Sequence, residues 1–132
     1  MRGFYELLEE VRKKVVKRLE EADVEVAMDV TELTGIGPRW WKASAGKVSL
    51  GIMPEYREHY NLPSACIIHI MNTNNEERRR IEEETGLIFH RSPYEPPSRE
   101  TYDAEAYVPC DPDLMVDLFV KTVKAVKALR KA

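Results

Sequence analysis

The stretch Ala65–Met71, ACIIHIM, decides how the rest of the chain is read. Every side chain in it but His69 is apolar, so both faces of a strand built from it would be covered, which is the pattern of an interior strand. We expect it at the centre of a sheet. Its histidine is then more simply a packed side chain with one satisfied nitrogen than a metal ligand.

Working back from this strand, KVSLGIM alternates Val48, Leu50 and Ile52 against Lys47, Ser49 and Gly51, the period of a half-buried strand. RWWKAS precedes it across an Ala45-Gly46 turn, and DVEVAMDV (23–30) alternates in the same way. These three segments predict a meander. At the start of the chain Phe4, Leu7, Leu8, Val11, Val15, Leu19 and Ala22 form the apolar stripe of a helix, with Glu9 and Lys13, and Glu10 and Lys14, spaced to pair.

Downstream, NNEERRRIEEETG opens on asparagines suited to capping and ends at Gly86, a C-cap residue. Glu76 stands four before Arg80, and Arg78 four before Glu82. Ile81 is nearly its only apolar side chain, so the helix is expected on the surface. LIFHR reads as a short strand, Ser92 to Thr101 as a proline-rich loop, and YDAEAYV as a further strand. Asp111-Pro112-Asp113 then starts a last helix whose acids come early and whose Lys124, Lys127, Arg130 and Lys131 come late, as the helix dipole prefers.

The expected fold is one α+β domain over residues 1–132: a two-layer sandwich with a mostly antiparallel sheet of about five or six strands. Two long terminal helices cover one face, and a short polar helix lies on the surface. Hydrophobic residues at 43% exclude a disordered tail, and no apolar run approaches the roughly 20 residues of a membrane span. The N-terminus lacks the pattern of a signal peptide, so a cytoplasmic location is expected and both cysteines are read as thiols, with Cys66 buried. Twenty basic against twenty-three acidic residues leave a net charge of -3, too little to attract a polyanion globally. The Glu, Lys and Arg blocks are compatible with a thermophilic source.

Leu33 to Trp41, LTGIGPRWW, is similar to the hairpin of helix-hairpin-helix DNA-binding modules, in which backbone amides at a helix start meet a phosphate. That resemblance implies phosphate contact by Gly35-Ile36-Gly37-Pro38. The strand-like segment before it and the two tryptophans after it favour a turn between strands instead. IEEETGLIF (81–89) resembles part of an uncharacterised domain found beside restriction-type nucleases, and the order of elements is similar to small secretion-chaperone folds that dimerise and hold partner segments.

No nucleophile elbow, phosphate loop or dinucleotide fingerprint is present, so no catalytic residue and no cofactor are assigned. His69 and His90 could face each other on neighbouring strands with His59 or Cys110 completing a metal site, but no ligand spacing supports it and no metal is expected. Asp103 and Glu105 share one face of a strand and Asp29 or Glu32 could join them in a metal-dependent site, but the acid, spacer, lysine pattern is missing. Asp103 and Glu105 are therefore expected to form only the solvent face of that strand.

Three functional readings follow, ranked in this order. The first is a non-catalytic binding or adaptor domain, self-associating, that holds a protein partner through Trp40, Trp41, Tyr56, Arg57, Tyr60 and Tyr94, residue types that bury large area and keep a polar tip. On a strand the two tryptophans point to opposite faces, so one enters the core. The second is a nucleic-acid-associated accessory domain of a restriction or nuclease system, using Arg39, Lys121, Lys124, Arg78 and Arg79. The third is a small metal-dependent hydrolase using Asp103, Glu105 and a histidine.

Overall fold

The structure, a computed structural model, describes residues 3–29, 33 and 39–129. In chain order its elements are α1 (Phe4–Glu21), β1 (Ala27–Met28), β2 (Trp41–Ala45), β3 (Val48–Ile52), α2 (Pro54–Tyr60), β4 (Cys66–Thr73), α3 (Asn75–Thr85), β5 (His90–Arg91), β6 (Tyr102–Val108) and α4 (Pro112–Leu129). Among the described residues six strands pair antiparallel in the order β1-β2-β3-β4-β6-β5. The α+β arrangement is thus as expected, with β4 in the interior.

Register explains which side chains meet. Residues paired across antiparallel strands share a face, so Trp41, Ile52, Cys66 and Val108 form one row. Ala43, Leu50, Ile68 and Ala106 form the next, and Ala45, Val48, Ile70 and Ala104 the third. These apolar rows meet Leu8, Val15 and Leu19 of α1 and Met115, Phe119 and Val123 of α4 in one buried cluster. The β2–β3 hairpin turns on Gly46, whose φ of +61° is a left-handed conformation that glycine adopts without a Cβ penalty.

Both helix starts read from sequence are made as expected. Asn74 and Glu77 form a reciprocal capping box on α3, and Gly86 closes that helix at φ +75°. Asp111 Oδ1 accepts from the backbone N–H groups of Asp113 and Leu114 at the start of α4.

Several local expectations are corrected. The strand expected over 23–30 is paired only at Ala27–Met28, and LIFHR only at His90–Arg91. Ile88 points to solvent, while the Phe89 N–H donates to Glu82 Oε2, which keeps that segment out of the ladder. Glu9 pairs with Arg12 rather than Lys13.

The polar helix α3 is not wholly superficial, because Ile81, Thr85 and Arg78 are buried. Arg78 turns inward rather than toward Glu82. It donates to Thr73 O, Thr73 Oγ1 and Asn75 Oδ1, with its guanidinium 3.6 Å from the Tyr102 ring centre. Desolvation lowers its pKa from the usual arginine value.

The cysteines are also corrected: Cys66 and Cys110 are disulfide-bonded, with Cα atoms 5.5 Å apart. Cys66 sits opposite Val108 at the end of the β4–β6 ladder, and Ser64 Oγ donates to Val108 O, so the chain leaving β6 is held where Cys110 meets Cys66. That proximity comes from strand pairing, and a separation of 44 residues does not disclose it.

Candidate functional site

The second face of the sheet carries different chemistry. Register aligns Ser44, Ser49, His69, Glu105 and His90 in one row across five strands, and Lys42, Gly51, Ile67 and Tyr107 in the row beside it. The long helices leave this face uncovered, and α2 with the loop after β5 covers part of it instead. Between them lies a pocket of about 230 Å³ lined by residues that include Lys42, Ser49, Met53, Tyr56, Ile67, His69, Met71, Tyr94, Asp103 and Glu105. Gly51 contributes backbone to the floor, and a Cβ there would come within 2.8 Å of Met53 Cε.

Glu105 is the centre of the arrangement. It is only 2% exposed, so the expected solvent face of β6 is not solvent-facing at this position. Tyr56 donates its hydroxyl to Oε1 at 2.5 Å, and Tyr107 donates to Oε2 at 3.0 Å. Burial first, then the hydrogen bond and charge of Glu105, push the Tyr56 phenol far above the ordinary tyrosine value. Tyr107 is raised by burial and the same charge. Both phenols therefore remain donors, and a buried carboxylate is tolerated because its oxygens are hydrogen-bonded.

A second network stands one step along the face. Tyr94 donates to Asp103 Oδ2 at 3.1 Å, while His69 Nε2 lies 2.9 Å from the Tyr94 oxygen and 3.3 Å from Asp103 Oδ2. With the Tyr94 proton committed to Asp103, the hydrogen-bond pattern assigns a proton to Nε2, which donates to the phenol oxygen. Asp103 Oδ1 accepts from the Asn72 N–H at 2.9 Å. Partial burial, with the Asp103 charge, pushes the Tyr94 phenol up to about 12.

The sequence candidates fall into distinct places. Trp40 is 37% exposed, whereas Trp41 is fully buried in the core and offers no surface to a partner. Tyr56 and Tyr94 line the pocket, and Tyr60 meets Tyr56 edge-to-face with ring centres 5.0 Å apart. Arg57 is exposed on the same short helix. His69 and His90 are not on neighbouring strands, because β6 lies between β4 and β5 and both histidines stand opposite Glu105. His90 stacks on Tyr107 instead.

Of the basic candidates, Arg78 is interior, Arg79 is exposed, and Arg39 lies 4.5 Å over the Tyr5 ring. Lys121 and Lys124 border a depression that they share with Arg18, Glu21, Asp23, Asp113 and Asp117, so acids interrupt the basic helix face. Gly35 to Pro38 and Glu32 lie outside the described residues. Among the described residues, no group of three or more His, Cys, Asp or Glu side chains is arranged to hold a metal ion. No helix among them is long and apolar enough to cross a membrane.

Sequence reasoning missed Lys42, Ser49, Met53, Ile67, Met71 and Tyr107. One signal was present for Tyr107: Asp103, Glu105 and Tyr107 alternate along β6 and so share a face. Comparison with protein-family models, with curated proteins and with solved structures finds no match to this chain.

Proposed function

We propose that the chain is a non-catalytic, self-associating binding domain that holds a protein partner at the aromatic face around this pocket. The observation that carries the reading is Glu105, a buried carboxylate clamped by Tyr56 and Tyr107 on the side of the sheet that the long helices leave open. Such a pocket is formed before anything enters it, which lowers the ordering cost of binding. Tyr60, Tyr94, Trp40 and Met71 add exposed aromatic and thioether surface of the kind that anchors interfaces. A cytoplasmic, thermophilic setting accords with both the charge blocks and the disulfide, since intracellular proteins of hyperthermophiles are rich in such bonds.

The test joins sedimentation equilibrium of the wild type, Trp40→Ala and Tyr60→Ala with amide chemical-shift mapping against a mixed library of blocked short peptides. A self-associating protein weakened by these substitutions, with shifts at Ser49, His69, Tyr94 and Glu105, is the expected result. A monomer whose pocket amides stay still with every peptide would overturn the reading.

The hydrolase reading has one observation in its favour: Asp103, Glu105 and His69 line one pocket. Against it, both oxygens of each carboxylate already accept hydrogen bonds, and the Ser49 hydroxyl is engaged with Ser44 at 3.0 Å. Turnover of chromogenic esters or phosphodiesters, with or without added magnesium or manganese, would move this reading ahead of the first.

A further inference from the structure

Burying a charge without a counter-charge is costly, and Glu105 is in that position. Its two hydrogen bonds come from neutral phenols, and among the described residues no cation stands within ion-pair distance of it. A carboxylate has about four acceptor sites, so among the described residues two remain unused at Glu105. Asp103 adds a second carboxylate in the same pocket, 23% exposed.

The charged and titratable groups lining the pocket can be counted by element. Lys42 comes from β2, Tyr56 from α2, His69 from β4, Tyr94 from the loop, and Asp103 and Glu105 from β6. Among the described residues that line the pocket, Lys42 is the one fixed cation. Asp29, whose N–H donates to Lys42 O, lies beside it on the edge of the sheet. An incoming anion would meet two carboxylates and phenols whose protons are already committed to them. An incoming cation would meet unused carboxylate lone pairs and the rings of Tyr56 and Tyr94, which attract positive charge through their π faces.

Size restricts the ligand further. A volume of about 230 Å³ holds on the order of eight waters. That suits one extended side chain, with Ile67, Met53 and Met71 offering apolar contact to its methylenes.

We infer that this pocket binds an alkyl ammonium or guanidinium group, which supplies the counter-charge that Glu105 lacks. The inference rests on the proposed binding function and names the chemistry of its anchor. The group is shared by free alkylamines and by lysine or arginine side chains, so both sources enter the test.

The test is an NMR titration of the full chain with butylguanidinium, butylamine, butanol and butyrate, and with an arginine dipeptide blocked at both ends. Both cations are expected to shift the His69, Tyr94 and Glu105 amides, with butanol and butyrate at least tenfold weaker. Glu105→Gln should weaken the cations at least tenfold. Should that variant fail to fold, Lys42→Gln serves instead: removing the like charge is expected to strengthen cation binding severalfold.

The blocked dipeptide binding more tightly than butylguanidinium would assign the group to a protein side chain, and the reverse to a free small cation. Either supports the inference. Butanol or butyrate binding as well as the cations, or weaker cation binding by Lys42→Gln, would overturn it while leaving a binding pocket in place. Silence from all five probes would overturn the inference, and silence from the peptide library as well would remove the pocket reading.

Discussion

Tyr56 on α2 reaches Glu105 on β6 across 49 residues of sequence, its hydroxyl 2.5 Å from Oε1. A seven-residue helix is thereby tied to β6, the strand between β4 and β5, through a buried carboxylate. Tyr56→Phe keeps the ring and deletes the donor, so one oxygen of Glu105 loses its partner. A loss of about 2 kcal/mol in urea unfolding is expected, as for a hydrogen bond to a charged group. Tyr107→Phe should cost a similar amount. An unchanged midpoint for both would mean that Glu105 is solvated rather than clamped.

The same phenols predict alkaline behaviour. Tyr56, Tyr94 and Tyr107 all have pKa values raised by burial above the ordinary tyrosine value of 10.0, Tyr94 to about 12. Folding thus favours their protonated forms. The stability Tyr94 contributes is whole below pH 10 and is lost as pH rises through about 12, while Tyr56 and Tyr107, raised further, lose theirs over a range that extends higher. Phenolate absorbance should rise later in the folded protein than in guanidinium. Superimposed titration curves would contradict the buried network.

The two tryptophans should separate cleanly. Trp41→Ala removes a fully buried ring and is expected to cost about 3–5 kcal/mol. Trp40→Ala should change stability by no more than about 0.5 kcal/mol, the usual size of a surface effect. Acrylamide should quench the Trp41→Phe protein, which retains Trp40, more strongly than the Trp40→Phe protein.

The Cys66–Cys110 bond joins residues 44 apart in sequence. On the chain-entropy account its removal costs about 4 kcal/mol. Cys110→Ser, which spares the buried Cys66 position, should lower the unfolding midpoint, and reductant should then have no further effect. Thiol counting in guanidinium without reductant should find no free thiol in the wild type.

What could be read in advance follows a physical division. Periodicity disclosed the long helices and β2, β3, β4 and β6, because each buries an apolar row against another element, and the capping residues of α3 and α4 act on their own backbone. The site was legible only in fragments. Tyr56, Tyr94, Asp103 and His69 are each conspicuous as residue types, yet nothing local in the sequence joins side chains that come from α2, the loop after β5, β6 and β4. Alternation along β6 says which face Glu105 takes, and not that α2 and the loop after β5 cover that face. The disulfide escaped notice for the same reason.

The two edges of the sheet have a consequence for how this protein tolerates crowding. β1 and β5 are each two residues long. Between them they offer little unpaired backbone on which a foreign chain could template further strands, the usual route from a native sheet to a fibril. Growth by strand addition is therefore disfavoured at both ends of the sheet.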